Sequence, residues 1–393
     1  MKRLALSALL FTAQLQAQAP SFQEQLIDDQ VEIGYGAALA DVNGDGKTDI
    51  LLADKKLIVW YENPAWTKHV MAESLTPKDN VCIAARDIDG DGKCEVAVGA
   101  EWNPGDTEHS GAVFYLIPPA DRTQKWEPIK LHHEPTVHRM KWVRGLDGHY
   151  SLVVAPLHGR GNKNGQGAGV RVLAYQVPQN PKAEWKTSLV NDSMHMTHNL
   201  DIVPTTANEA ETLLLCGREG VVRLSPTADG WHQQWIARHP ADNADLKGAG
   251  EVRWGVFANG SPYVATIEPM HGHQLCIYTP PPDGPKDKEW TRTVLDDKLV
   301  DGHAIACHDL LGIGNRQIVV GWRSINQIGP RVGVKLFHTT KENGTGWQQT
   351  LIDDNGMACE DAVVADLNGD KKPDIVGAGR RTKNLKIYWN QRP

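Results

Sequence analysis

One eight-residue segment occurs twice, once near each end of the chain. FQEQLIDD occupies residues 22–29, and WQQTLIDD occupies residues 347–354. The second copy precedes a unit with three strand-like runs at residues 362–365, 375–378 and 385–389, joined by tight turns. A three-stranded antiparallel meander has an unpaired edge. The N-terminal copy can supply the missing strand, and this pairing would close the chain into a ring.

A second pattern counts the repeats. An aromatic residue with an apolar residue four positions later opens each predicted outer strand, slightly displaced at Trp126: Phe22, Trp66, Trp126, Trp185, Trp231, Trp290 and Trp347. Their spacing of about 50 residues lies within the range of propeller repeats. The predicted units are residues 33–70, 80–131, 137–190, 196–236, 250–295, 302–352 and 358–390. The sequence therefore predicts one all-β domain over residues 20–393, a seven-bladed β-propeller closed by the N-terminal strand, which completes the last blade.

The first 19 residues are typical of a cleavable secretory signal. Lys2 and Arg3 precede an apolar run at residues 4–13, and the segment ends in Ala17-Gln-Ala19. The run is too short to span a membrane, and no cysteine follows that could carry a lipid anchor. We therefore expect an exported protein, periplasmic or secreted. The net charge of −7 argues against a nucleic-acid partner, and the oligomeric state stays open.

Six cysteines are spread at about one per repeat without framework spacing. Most lie in strand-like runs, where an unbonded cysteine behaves as a small apolar residue. This reading is favoured over disulfides even in an oxidising compartment. There is no CxxC motif, so a thiolate zinc site is not expected.

Three turns repeat an acidic pattern: DVNGDGKTD from Asp41, DIDGDGKCE from Asp87 and DLNGDKKPD from Asp366. Oxygen-bearing side chains stand at positions 1, 3, 5 and 9 of each turn: Asp41, Asn43, Asp45 and Asp49; Asp87, Asp89, Asp91 and Glu95; Asp366, Asn368, Asp370 and Asp374. Oxygens at this spacing suit Ca²⁺, as in the first part of an EF-hand loop. The alternative is a turn held by side-chain to backbone hydrogen bonds alone.

Together with the repeat, these turns resemble the FG-GAP/VCBS family of propellers. The resemblance covers nearly the whole mature chain and implies the fold and the calcium turns. It does not imply a function, because function depends on the site that a fold carries.

The face opposite the acidic turns should collect two sets of residues. The entries to the inner strands contribute His138, His198, Asn199, His303, Glu360 and Asp361. The loops between second and third strands contribute Trp102, His158, Arg160, Arg218, Glu219, Glu268, His271, Trp322, Arg323 and Arg380. A single histidine is usually structural, but a set from several blades that meet at a central funnel predicts a functional pocket.

The chemistry of this set can be read from its residue types. Neutral imidazoles and carboxylates bind Zn²⁺, Mn²⁺ or similar ions, which polarise a carbonyl and acidify the neighbouring C–H. Arginines would stabilise an enolate-like oxyanion, and a histidine or glutamate would act as the base. Tryptophans offer flat faces to a sugar ring.

Five segments carry a second, narrower resemblance: residues 132–139, 156–161, 265–272, 301–303 and 356–361. They look like the propeller domain of the aldos-2-ulose dehydratases, fungal enzymes that dehydrate keto-sugars such as 1,5-anhydrofructose and are associated with bound divalent metal. The cupin and lectin-like parts of those enzymes have no counterpart here, so an isomerase step is not implied. The resemblance implies a lyase that eliminates water or an alcohol β to a ketone.

On this hypothesis we assign roles at the funnel. The predicted ligands of a divalent metal (Zn²⁺, Mn²⁺ or Mg²⁺) are His198, His271 and His303. The predicted catalytic residues are His138, His158, Arg160, Glu268, Arg323, Glu360 and Arg380, with His158 and Glu360 as candidate bases and His138 or Glu268 as further ligands. The predicted contacts of a small carbohydrate substrate are Trp102, Asn199, Arg218, Glu219, Trp322 and Asp361.

Two rival functions stay open. The first is a non-catalytic propeller that binds a glycan or a protein partner. The second, an electron-transfer propeller, is disfavoured because no CxxCH haem-attachment motif is present.

Overall fold

The computed structural model describes residues 19–206, 208–239, 248–282, 288–324 and 331–392. The predicted secretory signal lies outside the described residues except for Ala19. The described chain folds into strands β1 to β28, which form seven antiparallel sheets of four strands each. Within these ranges no helix is long and apolar enough to cross a membrane. The predicted all-β, seven-bladed propeller is confirmed.

The strands are given blade by blade, from the axis outward. The first three blades are β2 to β5 (Gly36–Ala40, Asp49–Ala53, Leu57–Glu62, Thr67–Glu73), β6 to β9 (Cys82–Arg86, Glu95–Ala100, Ala112–Ile117, Glu127–Leu131) and β10 to β13 (Val137–Arg144, Tyr150–Pro156, Val172–Gln176, Thr187–Asn191). The next two are β14 to β17 (Thr197–Val203, Thr212–Gly217, Gly220–Thr227, Gly230–Arg238) and β18 to β21 (Glu251–Val256, Pro262–Glu268, Gln274–Thr279, Thr291–Asp296). The sixth is β22 to β25 (Gly302–His308, Gln317–Trp322, Gly333–His338, Gln348–Asp354), and the seventh is β26 to β28 with β1 (Cys359–Ala365, Asp374–Gly379, Asn384–Asn390, Phe22–Asp28).

The ends of the chain pair as predicted. Strand β1 lies antiparallel to β28, with Phe22 opposite Asn390 and Leu26 opposite Lys386. The seventh sheet therefore has the order β1-β28-β27-β26. This pairing covers the edge of β28, which would otherwise be a site for unwanted strand pairing.

The core lies between neighbouring blades. The second strands β7, β23 and β27 are buried along their whole length, because a neighbouring blade covers each face. All six cysteines are free, and five of them are buried. The prediction of unbonded, mostly buried thiols is confirmed.

The acidic turns join the first and second strands of blades one, two and seven. In the first of them, Asp41 accepts the backbone N–H groups of Gly44 and Gly46, both at 2.7 Å. Asp87 and Asp366 make the same pair of contacts within their own turns. These bonds can hold the turns without an ion, and the binding of calcium stays a prediction.

The ninth residue of each acidic turn is buried and bonded to backbone. Asp49 accepts the N–H groups of Val42 at 2.8 Å and Asn63 at 2.9 Å. Asp374 and Glu95 each accept the N–H of the second residue of their own turn. Burial raises the pKa of Glu95 to about 7 and the pKa values of Asp49 and Asp374 to about 6. These carboxyls therefore fasten the turn to its blade.

Candidate metal centre

Four inner strands carry a β-bulge at the same level of the propeller. Their pairing with the second strand skips one residue, which is His138 in β10, His198 in β14, His303 in β22 and Glu360 in β26. Strands β2, β6 and β18 pair with their neighbours without a skip. A bulge leaves its extra residue unpaired and redirects the side chain.

Three histidines meet in the funnel. The ring centroids are 4.4 Å apart for His198 and His271, 4.8 Å for His271 and His303, and 5.6 Å for His198 and His303. One nitrogen of each ring lies within 4.8 Å of a nitrogen of the others. His271 comes from the loop after β19 in blade five. The structure thus brings together the three side chains predicted as metal ligands.

Backbone carbonyls of the next blade orient the imidazoles. Nδ1 of His138 lies 2.7 Å from the carbonyl oxygen of His198, and Nδ1 of His303 lies 2.5 Å from that of Glu360. Nδ1 of His198 contacts the carbonyl oxygen of Gly250. Because a carbonyl only accepts, each Nδ1 carries the proton. His198 and His303 therefore keep a lone pair on Nε2, as a metal ligand must.

His271 is held differently. Nη2 of Arg323 lies 3.3 Å from its Nδ1, so this nitrogen accepts a hydrogen bond and Nε2 carries the proton. That Nε2–H points at Nε2 of His198, and the two atoms are in contact. Before Nε2 of His271 could bind a cation, its proton would have to leave or move to Nδ1. Metal binding at this site should therefore be coupled to proton transfer.

The imidazoles are neutral at neutral pH. Burial lowers the pKa of His138, His198 and His303 well below the ordinary value, and the positive charge of Arg139 adds to the effect. His271 is exposed at the mouth of the funnel. Its pKa is nevertheless well below the ordinary value, because surrounding protein displaces water from the ring and His198 lies beside it. Neutral rings are the form that binds metal ions.

Glu360 is a buried carboxylate held by two arginines. Nη1 of Arg323 donates to both of its oxygens at 2.7 Å, and Nη1 of Arg380 donates to Oε1 at 3.1 Å. Nε of Arg323 also donates to Asp301 at 3.1 Å. With its lone pairs engaged in this way, Glu360 is poorly placed to take a proton from a substrate. Arg323 acts on the site through Glu360 and His271.

His138 lies at the edge of the cluster. Its ring centroid is 4.5 Å from that of His198, and Trp102 stacks on it at 4.9 Å with an interplanar angle of 28°. Nη1 of Arg139 lies 3.3 Å from its Nε2. Both ring nitrogens of His138 therefore have protein partners, so it supports the cluster and does not offer a free lone pair.

His158 lies in the loop between β11 and β12. Its backbone bridges to Met196, two residues before His198. Its Nδ1 is buried and has no hydrogen-bond partner among the described residues. Burial lowers the pKa of the ring, so that it is a neutral proton acceptor at neutral pH.

Arg160 makes its contacts on the rim. Its Nη1 donates to the carbonyl oxygen of Glu108 at 2.7 Å, and its Nη2 lies 3.3 Å from Glu134. The predicted substrate contacts Arg218 and Glu219 are likewise engaged locally. Arg218 donates to the carbonyl oxygen of Asn164 at 2.5 Å.

Glu219 accepts the N–H of His195 at 3.0 Å through Oε1. Within the described ranges, neither Arg160, Arg218 nor Glu219 shares a hydrogen bond or ion pair with the three clustered histidines. These three residues could therefore contact a substrate only if the substrate extends from the histidines to the rim.

Glu268 lies inside blade five and apart from the cluster. It is fully buried. Its Oε1 accepts from Thr266 and Tyr278, both at 2.7 Å, and its Oε2 accepts from Arg292 at 2.8 Å. These contacts occupy the carboxylate, so its position does not suit the predicted roles as a further ligand or catalytic group. The loop after β19 brings His271 to the funnel and leaves Glu268 in the sheet.

Trp322 also lies away from any open surface. The ring is buried, its Nε1 donates to the carbonyl oxygen of Arg331 at 2.6 Å, and Nζ of Lys335 sits 5.3 Å from the ring centroid. This position does not suit an exposed platform for a sugar. The predicted contacts Asn199 and Asp361 lie in a deeper layer of the channel, where Asp361 accepts the N–H of Ala37 at 2.8 Å.

Four residues near the histidines were given no role from the sequence: Tyr35, at the entry to the first inner strand, Arg139, Glu251 and Asp301. Tyr35 hydrogen-bonds Asp79 at 3.3 Å and lies 5.3 Å from the guanidinium of Arg380. Burial raises its pKa to about 12. Asp301 stood in the Asp-Gly-His segment that carried the narrower resemblance. Glu251 was not identified because the inner strands were aligned on the acidic turns, and no acidic turn follows β18.

Comparison with known proteins agrees with this description. The family model for the β-propeller domain of aldos-2-ulose dehydratase matches residues 110–281, and an FG-GAP-like repeat matches residues 41–98. The first match contains His138, His198 and His271. Aldos-2-ulose dehydratase from Phanerodontia chrysosporium is 25% identical over 316 residues, which cover 73% of this chain and 34% of that protein. The chain thus spans about a third of the length of this relative.

Solved structures share the fold. A chain of the mitotic checkpoint complex matches with a TM-score of 0.58 at 10% identity, covering 100% of this chain and 98% of its own. A chain of hydrazine synthase from Kuenenia stuttgartiensis matches with a TM-score of 0.54 at 11% identity, covering 92% and 97%. At such low identity these matches show the fold alone. The chain is a seven-bladed β-propeller that contains an FG-GAP-like repeat and resembles the propeller domain of aldos-2-ulose dehydratase.

Proposed function

We propose that this chain is an exported, metal-assisted carbon–oxygen lyase. It would eliminate water or an alcohol β to a ketone on an oxidised sugar, 1,5-anhydrofructose or a related keto-sugar. The observation that carries the proposal is the meeting of His198, His271 and His303 in one funnel, in a chain related to the propeller of a dehydratase.

The donor set fits a divalent metal. His198 and His303 direct a lone pair on Nε2 inward, and His271 can join them after moving one proton. Imidazole nitrogens suit Zn²⁺ and related transition metals better than Mg²⁺, which prefers oxygen. When bound, such an ion would polarise the substrate carbonyl and make the neighbouring C–H more acidic.

The chain would supply the proton acceptor. In the elimination, a base removes the proton from the carbon next to the ketone, a carbon–carbon double bond forms, and the hydroxyl or alkoxyl on the following carbon leaves. His158 is the better of the two predicted bases, because its Nδ1 has no described partner and Glu360 is engaged by two arginines.

Arg380 would hold the developing oxyanion or a sugar hydroxyl. It is half-buried beside Tyr35, and its described hydrogen bond to Glu360 uses one of its nitrogens. A guanidinium aimed at developing negative charge stabilises it most where water is excluded. Separately, we propose Ca²⁺ at the acidic turns, where Asp87, Asp89 and Asp91 bring carboxylate oxygens within 4.8 Å of one another.

The test combines metal analysis with turnover. The purified protein is stripped with a chelator, reloaded with Zn²⁺ or Mn²⁺, and offered a panel of keto-sugars while enone absorbance is recorded. We expect activity that disappears on stripping and returns on reloading. Full activity in the metal-free protein would overturn the metal role. Absence of turnover on every keto-sugar would favour a binding propeller, and glycan affinity would then be measured.

A further inference from the structure

Four polar side chains from inner strands next to the histidines interact with one another. They are Arg139, Asn199, Glu251 and Asp361, from β10, β14, β18 and β26. Nδ2 of Asn199 donates to Oε2 of Glu251. Nη1 of Arg253 lies 4.0 Å from the same oxygen. These contacts hold Glu251 in one orientation.

Glu251 lies against a candidate ligand. It is only 2% exposed, and its Oε1 is 3.4 Å from Nδ1 of His198. Among the described residues, this oxygen has no hydrogen-bond partner. A buried acceptor left without a partner is costly. The Nδ1–H of His198 can offset this cost, because it can be shared between Gly250 and Glu251.

The positive charge of Arg139 lies close to the candidate metal centre, and the carboxylate of Glu251 can offset it. Arg139 contacts His138 and adds to the low pKa of His198. Two cations, Arg139 and Arg253, and the amide of Asn199 face the carboxyl group of Glu251. Without this anion, Arg139 would repel a dication in the funnel across a region of low dielectric constant.

We propose that Glu251 is a positioning residue of the candidate metal centre. Its carboxylate shares the Nδ1–H of His198 with the carbonyl oxygen of Gly250, makes Nε2 a stronger donor and offsets the charge of Arg139. This inference rests on the proposed metal site. Removal of a carboxylate that hydrogen-bonds a metal-binding histidine typically weakens metal affinity by about 10- to 100-fold.

The primary experiment measures metal affinity, not activity. Zn²⁺ and Mn²⁺ dissociation constants are obtained by chelator competition for the wild type and Glu251→Gln. We expect the variant to bind about 10- to 100-fold more weakly. Thermal unfolding of both metal-free proteins checks that the variant is folded.

A double variant separates charge from packing. In Glu251→Gln alone, an amide N–H₂ must face either Asn199 or His198, both of which donate. Asn199→Asp with Glu251→Gln restores a donor–acceptor pair but moves the charge one residue away from His198. We expect the double variant to regain thermal stability while its metal affinity stays below that of the wild type.

The outcomes distinguish this inference from the proposed function. If the wild type binds metal at the histidines and Glu251→Gln binds it equally well, the positioning role is wrong and the metal centre stands. If the double variant recovers full affinity together with stability, Glu251 acts through packing alone and the inference fails. If the wild type binds no metal at this site, the proposed metal centre itself fails.

Discussion

The bulged and regular inner strands differ in what they present to the axis. Strands β10, β14, β22 and β26 each contain one extra residue, and that residue is a histidine or Glu360. In the regular strands β2 and β6, the paired residues at this level are Gly36 and Cys82. A Cβ on Gly36 would meet the backbone of Cys82 at 3.4 Å, so this position packs blade against blade. One unpaired residue thus converts a packing position into a funnel position.

The acidic turns show the opposite distribution. They occupy blades one, two and seven, at the other end of the inner strands. The clustered imidazoles come from blades four, five and six. The fold therefore separates blades stabilised by their turns from blades that carry the candidate chemistry, and blade seven shares both features.

The largest effect should come from a bulge residue in the cluster. We expect His198→Ala to weaken metal affinity by more than ~100-fold, the upper end of the loss expected when a residue that hydrogen-bonds a metal ligand is replaced. We also expect it to abolish keto-sugar turnover. The matched control is Cys82→Ala, at the same level of a regular strand. Chelator competition on both variants checks the comparison, and equal losses of affinity would refute a special role for the bulged strands.

The second effect concerns the carboxylate of the bulge in blade seven. Arg323→Met leaves Glu360 buried with Arg380 as its remaining described partner, and should lower the free energy of unfolding by about 3 kcal/mol. The control is Arg331→Ala, whose ion pair with Asp354 is exposed and should contribute less than ~1 kcal/mol. Urea unfolding compares them. Similar small losses would show that Glu360 tolerates burial without Arg323.

The two regions should respond to acid with opposite signs. His138, His198 and His303 have depressed pKa values in the fold. Below pH ~6.5 the unfolded chain therefore binds more protons than the folded chain. As the pH is lowered, each histidine reduces the free energy of unfolding by up to ~1.4 kcal/mol per pH unit. Glu95, Asp49 and Asp374 have raised pKa values. Their contribution is present at low pH and is lost as pH rises through about 6 to 7.

Unfolding free energies of the metal-free protein between pH ~5 and ~8 check these signs. His303→Ala should have a shallower acid limb than the wild type, by roughly the slope of one histidine. Glu95→Gln should remove the opposing slope that Glu95 contributes up to about pH 7, so the stability of this variant should fall more steeply than that of the wild type as the pH is lowered. Parallel profiles for all three proteins would contradict the assigned protonation states.

The smallest effect should come from calcium. If an acidic turn binds Ca²⁺, the ion should stabilise the protein by about 2.7 kcal/mol at a free concentration of 100 times Kd. Asp91→Asn should reduce this calcium-dependent gain in stability without abolishing it. The turn at residues 309–314 in blade six has lost the acidic pattern, so Asp309→Asn serves as control. A calcium-dependent shift in Tm that neither substitution alters would place the ion elsewhere.

The sequence predicted the blade count, the ring closure and the face on which the histidines gather, because these features follow from the repeat. It did not predict the bulges, since one extra residue changes strand pairing without changing composition. It also misjudged Glu268 and Trp322, which it placed in loops and which are the last residues of β19 and β23. Their side chains find partners in the core, the guanidinium of Arg292 for Glu268 and the carbonyl oxygen of Arg331 for Trp322. Such contacts leave no local signal in the sequence.

The central claim is that imidazoles from three blades bind one metal ion at the axis. Diffraction from crystals of the Zn²⁺-loaded protein, recorded at the zinc absorption edge, tests it most directly. The account predicts an anomalous peak about 2.0–2.1 Å from nitrogens of His198, His271 and His303. Zinc found solely at the acidic turns, with none at the axis, would contradict it.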